Sequence, residues 1–462
     1  MALPTRLLQQ ISRSGGGGVV LVVGAGGSIE FPTGLKTGAA YSQEAFRRLV
    51  LDGVLEQDAC SDPSDLSQLA DAVSSVCGGS QRELTSRLPK DSWRSASPNH
   101  GHFLAAALLV EGALRHIITL NYDLALQNAL GVLGVPQDVA IIKGPEEHDN
   151  GGMRALIYLH RSVESDEETW VLRKSDLEDA WKGNWEEVVA SANLSAPITV
   201  FVGLGSPAAV LTESVSRVAQ ATKSEFYLVD PNPDSSFADA LGDNVQPAIP
   251  MYWGAFMSQL AKRATQEQLA RLKDRVVNLA TRLDDGDESL GNLPLEGMAE
   301  LDLVTLGKVR GAWLLHGKPY CPEGVEIQIE QIADLVLGLG HVQTALGGTS
   351  IEFSETGRAE IVEDSGQRTG LYAVHGGGIQ PWSQLQTRLE QRTTALPPTR
   401  RPRHVLVAGV RQSLDTTPYD LLGRDDPNDL IRGADIILPL GVDEVRHAFD
   451  SKGDKLRERL GI

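Results

Sequence analysis

The sequence predicts an α/β protein built on a doubly wound, mostly parallel sheet, with a second α/β or α+β domain toward the C-terminus. Three observations carry that expectation. The run Val19 to Val23 is β-branched and continuously apolar and ends in the glycine turn GAGGS, as a buried parallel strand entering a tight turn should. Similar runs recur between stretches of helical periodicity. Each ends in polar residues, and open α/β sheets gather their ligands outside the carboxyl ends of their strands.

Taken in order, a short amphipathic start and four glycines, Gly15 to Gly18, precede the first strand. His102 to Glu111 reads as a helix, RHIITLNYD as a strand with a polar end, and Leu124 to Leu130 as the next helix. ALIYLH (Ala155 to His160), PITVFVGLGS (Pro197 to Ser206), the helix-like SVSRVAQATK and FYLVDPNP (Phe226 to Pro233) continue the alternation. Near 265 the texture changes. Leu269, Leu272, Val276, Leu279 and Leu283 recur at three- and four-residue intervals, an amphipathic helix that packs on its own domain or joins a second copy. The acidic DDGDESLGNLP reads as a loop, after which the strand-like pieces VEIQI, TSIEF and AEIV alternate with helix-like ones, and HVLVAG and ADIILPLG follow. The expected organisation is a first domain over 1–262, a helical linker over 263–296 and a C-terminal domain over 297–462.

A chain of 462 residues exceeds one typical core, which agrees with more than one domain. Its formal charge of −19 opposes loose association with nucleic-acid phosphates and anionic membranes. The basic cluster Arg400, Arg401 and Arg403 lies in a Pro-rich stretch and reads as a solvated linker. No apolar run is long enough to span a bilayer, and the N-terminus lacks the charged and apolar regions of a secretory signal. The three cysteines, Cys60, Cys77 and Cys321, are too few for a four-cysteine zinc site and fit a reducing compartment, so a cytoplasmic location is expected. His316, Cys321, His341 and His375 have no metal-ligand spacing, and GKP and HGGG beside them read as turns.

Chemistry is concentrated in the first half. In VVLVVGAGGSIEFPTGL, Gly24 and Gly26 let backbone approach a pyrophosphate closely, and the following amides can point at its oxygens. The spacing departs from G-x-G-x-x-G because Ile29 stands at the third glycine, and FPTG predicts a loop before the next helix. Asn121 and Asp123 at the end of ITLNYD are a polar pair for a ligand, or N-caps for the helix after them. His160, ending YLH, is a base with a pKa near working pH, or a satisfied strand-end histidine. His100 and His102 belong to an ordinary helix start.

Together, GAGGS, ITLNYD, YLH, VGLGS and LVDPN, preceded by SPNHGHFLAAALL, resemble the sirtuin family over about residues 15 to 260. The resemblance implies a Rossmann-like domain in which Gly24, Ala25, Gly26, Ser28, Pro32 and Thr33 hold the pyrophosphate and ribose of NAD+. It implies that Gly203, Gly205, Ser206, Asp230 and Asn232 hold the adenosine half. Asn121 positions the attacked ribose and a water, Asp123 accepts from the nicotinamide carboxamide, and His160 is the general base.

The departures are as informative. Deacylase sirtuins insert a zinc ribbon with two Cys-x-x-Cys pairs between the His and Gly-x-Ser motifs, whereas Arg161 to Ile198 contains no cysteine and carries SVESDEETWVLRKSDLEDAWKGNW. In this the chain is similar to the zinc-free sirtuin-like NAD+ hydrolases of bacterial anti-phage defence, which implies NAD+ as substrate, no zinc, an oligomer, and activation by a signal or a partner such as a translocase ATPase. A silent NAD+ or ADP-ribose sensor and a protein deacylase or ADP-ribosyltransferase are the competing readings. Arg161 stands where many relatives have glycine, and Pro207-Ala208 follows the Gly-x-Ser turn in place of Asp-Pro. A cation after the histidine could crowd the nicotinamide pocket or reach a phosphate.

Overall fold

A computed structural model describes residues 2–12, 18–150, 154–180, 184–205, 209–233, 235–283, 289–375, 389, 391, 393, 396–397, 401–409, 438–442, 445, 456–457 and 460. The chain divides into two compact units, Met1–Ala264 and Thr265–Ile462, and the division falls inside the helix Trp253–Arg282.

Among the described residues the first unit contains six strands: β1 (Val19–Val23), β2 (His116–Thr119), β3 (Ala140–Ile142), β4 (Ala155–Tyr158), β5 (Ile198–Val202) and β6 (Glu225–Val229). They form one sheet in the order β3-β4-β2-β1-β5-β6, with every pair parallel. This is the doubly wound sheet the sequence predicts. All residues of β1 are buried, as are those of β4 and β5, because helices cover both faces. The register aligns the strand ends, since Val23 pairs with Thr119 and Val202, Thr119 with Tyr158, and Val202 with Val229. The residues that follow these strands therefore form a row along one edge. The chain winds one way from β1 and the other way from β5, so the topological switch point lies between them.

β3 is the strand that the sequence reading lacks. It has three residues, two of them only half-buried, so neither alternation nor a long apolar run marks it.

The second unit carries β7 (Gly348–Phe353), β8 (Arg358–Glu363), β9 (Arg368–His375), β10 (His404–Ala408) and β11 (Leu438–Gly441) in the order β11-β10-β9-β8-β7. The first three pair antiparallel and the last three parallel, giving a mixed sheet. TSIEF, AEIV and HVLVAG fall in strands as expected, whereas VEIQI does not. It opens the helix Glu326–Leu346, in which Ile329, Ile332, Ala333 and Val336 are buried while Ile327 and the N-cap Val325 are exposed. Five alternating residues were too short to separate a strand from a helix, and the burial of i, i+3, i+4 and i+7 positions shows the longer period that won. Leu272 and Val276 join the core of this unit, with Leu269 and Leu279 packed against it. Among the described residues, no helix is long and apolar enough to cross a membrane.

Candidate active site at the carboxyl edge of the first sheet

The two glycine turns meet at the switch point. Gly24 N–H donates to Val202 O at 2.9 Å and Gly26 N–H to Gly203 O at 2.8 Å, so the turn after β1 is stitched to the turn after β5. A Cβ on Gly26 would stand 2.6 Å from Gly203 Cα, and one on Gly203, where φ is +63°, would stand 2.8 Å from Gly26 Cα. Only glycines allow so close an approach. The chain then makes a short 3₁₀ turn over Ala25–Ser28 and a loop through Pro32 before the helix Gly38–Leu51, as FPTG predicts.

Several side chains hold this turn from outside it. Asn99 donates from Nδ2 to Gly27 O at 2.9 Å, while its Oδ1 accepts from His102 N–H and from Trp253 Nε1–H. Thr33 Oγ1 donates to Ser97 O at 2.7 Å, and Glu30 Oε1 accepts from Gly254 N–H at 2.9 Å. Asn99, Glu30 and Trp253 are positioning residues that sequence reasoning did not single out. Asn99 and His102 form a capping box at the start of the helix His100–Val110, which bears out the reading of that segment as a helix start.

Next along the edge come the residues beyond β2. Asn121 donates from Nδ2 to Gly24 O at 3.0 Å, and its backbone N–H to Thr119 Oγ1 at 3.1 Å. Ser28 Oγ donates to Asp123 Oδ2 at 2.9 Å, and the other oxygen, Oδ1, accepts from Ala125 N–H at 3.0 Å. Asp123 therefore satisfies a helix-start amide, as the N-cap reading expects, and also ties the strand end to the glycine turn. Burial raises its carboxyl above the ordinary Asp range, against the opposing pull of the bonds from Ala125 and Ser28. Between these two residues, Tyr122 stacks on Trp93 and Trp170, and its hydroxyl donates to Val171 O at 3.2 Å. That stack fastens the segment after His160 to the end of β2.

His160 lies two residues beyond Tyr158, as Asn121 lies two beyond Thr119, so the two residues follow the ends of paired strands. It is buried, and its Nε2 has no hydrogen-bond partner among the described residues. Burial, with a smaller push from the Arg161 cation, lowers its pKa to about 4. The ring is thus neutral at physiological pH and able to accept a proton.

Arg161 adopts φ +81°, a conformation that favours glycine and is costly for other residues. Its side chain does not turn back along the row. It pairs with Glu186 Oε1 at 2.9 Å, lies over the Trp185 ring at 5.4 Å, and runs past Gly144, which follows β3 at the far side of β4.

Beyond β5 and β6, Gly205 has φ +60°, and Asp230 accepts through Oδ1 from Asn232 N–H at 2.9 Å. Ser206 and the Pro207-Ala208 pair lie outside the described residues. The geometry brings together Gly24, Gly26, Ser28, Asn121 and Asp123, puts His160 at the end of the neighbouring strand β4, and puts Asp230 and Asn232 two strands away beyond β6. The segment Arg161 to Ile198 contains the helices Lys174–Ala180 and Trp185–Leu194, and among the described residues no cluster of three or more His, Cys, Asp or Glu side chains is placed to hold a metal ion.

Two histidines here carry depressed pKa values, His160 at about 4 and His102 at about 3, both chiefly through burial. His102 Nδ1 accepts from Asn99 N–H at 3.2 Å, which protonation would abolish. The unfolded chain takes up these protons near pH 6.5 and the folded chain does not, so acidification favours unfolding. Stability is expected to be complete above pH 6.5 and to fall progressively toward pH 3. Thermal melts across that range check this, and a flat melting temperature would contradict it.

No family model matches the chain, and no curated protein matches it. Among solved structures it is similar to a Sir2 enzyme at 15% identity, covering 56% of this chain and 96% of that one, with a TM-score of 0.32. A Sir2 homologue in complex with ADP-ribose matches at 17% identity over 57% of this chain and 97% of the other, TM-score 0.32. A Sir2 homologue–NAD complex matches at 15% identity over 57% and 94%, TM-score 0.30. The sheet order and the paired glycine turns define a doubly wound α/β protein whose two turns meet at its switch point.

Proposed function

We propose that a crevice at this switch point binds NAD+ and hydrolyses it to nicotinamide and ADP-ribose. The observation that carries the reading is the buried, neutral His160, whose Nε2 has no partner among the described residues, at the end of the strand paired with the one that leads to Asn121, which itself bonds a glycine turn of the kind that receives a pyrophosphate. A buried imidazole without a partner costs stability, and a ligand that completes its bonding offsets that cost.

In this reading Gly24, Ala25, Gly26 and Ser28 receive the pyrophosphate, with Pro32 and Thr33 beside the ribose, and Gly203, Gly205, Ser206, Asp230 and Asn232 line the adenosine half. Asn121 orients the nicotinamide ribose, and Asp123 accepts from the carboxamide. Nicotinamide leaves with the bonding electron pair of its ring nitrogen, so no acid is needed. Charge passes to the ribose, a water adds at the carbon that lost nicotinamide, and His160 takes up the proton released there, directly or through a ribose hydroxyl. The cysteine-free Arg161 to Ile198 segment offers no zinc ribbon for an acyl-lysine groove, which favours hydrolysis over deacylation.

The wider role follows from the resemblance in the motifs: a cytoplasmic, oligomeric effector that depletes NAD+ in anti-phage defence. Residues 297–462 govern its assembly or its activation by a signal or partner ATPase. Incubation with NAD+, alone and with candidate partners, should release nicotinamide and ADP-ribose in equal amounts. An Asn121→Ala variant should be slower by about 10²-fold or more, since it loses the group that orients the ribose. Binding without turnover would mark a silent sensor, and release that requires an acylated or acceptor protein would mark a transferase; undiminished release by the variant would overturn the site.

A further inference from the structure

Resting on the NAD+ reading above, we propose that Glu186 is a positioning residue: it holds the Arg161 guanidinium toward the β3 end of the sheet, so that a cation directly after His160 does not close the crevice.

The argument starts from the backbone. With φ at +81°, Arg161 turns the chain sharply at the end of β4, its N–H donating to Tyr158 O at 3.3 Å, and the turn sets the direction in which His160 leaves the strand. Glycine meets that need without strain, so an arginine requires a counterweight. The structure supplies one. Glu186 is almost fully buried, on the first turn of the helix Trp185–Leu194, and accepts from Arg161 Nη1 at 2.9 Å with the Trp185 ring beneath the guanidinium. The side chain of Arg161 is itself only 15% exposed.

Direction is what matters for chemistry. Asn121 and the glycine turn lie on the β2 and β1 side of His160, whereas Arg161 passes Gly144 on the β3 side. Without Glu186, a long flexible cation adjacent to the base is free to swing toward the crevice. There it would meet the positively charged nicotinamide ring. The helix that bears Glu186 lies in the segment that replaces the metal-binding ribbon, so an ion pair anchors that segment to the catalytic edge.

Four proteins test this: the wild type, E186Q, R161G and R161G/E186Q, each full length. E186Q is expected to lose about tenfold in NAD+ affinity or kcat/KM, because a buried cation is left without its partner. R161G removes that cation and suits the observed φ, so the double variant is expected to recover to within about threefold of R161G. A Glu186 that merely supported its helix would not be rescued by a change at position 161. An E186Q loss that persists in the double variant, an E186Q without effect, or an R161G that abolishes turnover would each overturn the proposal. If E186Q fails to fold, recovery of folded, NAD+-binding protein in the double variant is the supporting result, and its absence the contrary one. A wild type that binds NAD+ but releases no nicotinamide removes the hydrolase reading alone, since affinities across the same four proteins still decide the role of Glu186. A wild type that does not bind NAD+ overturns both.

Discussion

Replacing His160 by alanine should lower nicotinamide release by about 10²- to 10⁴-fold, the range that a positioned general base supplies, with little loss of NAD+ affinity. The expectation rests on the state of the ring rather than on its presence. Burial keeps it neutral, with a pKa of about 4, and its Nε2 has no hydrogen-bond partner among the described residues. A structural histidine in so buried a position is expected to have its ring nitrogens hydrogen-bonded, as His102 Nδ1 is by the Asn99 amide. The depressed pKa fixes the sign of the pH dependence. A base that is neutral in the folded protein remains competent as pH falls through 6.5, so the acid limb of kcat against pH should lie near 4 to 5, limited there by folding as much as by the base. A limb centred at 6.5 would show a solvent-exposed imidazole.

The second large effect is expected at the paired turns. Gly26→Ala and Gly203→Ala should each destabilise the protein by about 1–3 kcal/mol, the usual cost of forcing atoms into a packed site. NAD+ affinity should fall by about tenfold or more, equivalent to 1.4 kcal/mol. In each case the new methyl group meets backbone, not a flexible side chain: Gly203 Cα at 2.6 Å from position 26, Gly26 Cα at 2.8 Å from position 203. Backbone cannot yield without parting the two turns, and Gly203 carries the added strain of φ +63°. Gly38 is the control, since a Cβ there meets nothing within 4 Å. Thermal melts and NAD+ titrations read both effects, and variants at 26 and 203 that behave like Gly38→Ala would show that the turns do not need their close approach.

How much of this was legible in the sequence depends on the range of the interactions. β1, β2, β4, β5 and β6 were legible because buried parallel strands write themselves as short apolar runs that end in polar residues. β3 was not, being three residues at the edge of the sheet, and VEIQI was misread because five residues fit both periods. The glycine turn, Asn121, Asp123 and His160 stood out as motifs at strand ends, and the register explains why the first three of these are brought together while the fourth ends the next strand. Their supports left no such trace. Glu30 reaches Gly254 across 224 positions and Trp253 reaches Asn99 across 154, distances over which one sequence carries no pairing signal. Arg161 was conspicuous as a departure from glycine, but its direction is set by Glu186, in a stretch without a motif. The sequence posed the question of where that cation goes, and only the packing of the helix Trp185–Leu194 answers it.

The most direct test of the whole account is an experimental structure with NAD+ bound to a slowed variant such as Asn121→Ala. The account places the pyrophosphate on the turn Gly24 to Ser28, the adenosine toward Gly203 and Asp230, and the nicotinamide ribose within hydrogen-bonding reach of His160 Nε2, with Arg161 still paired to Glu186. NAD+ lying in the reverse sense, with nicotinamide at the β6 end, or bound outside this edge altogether, would contradict it.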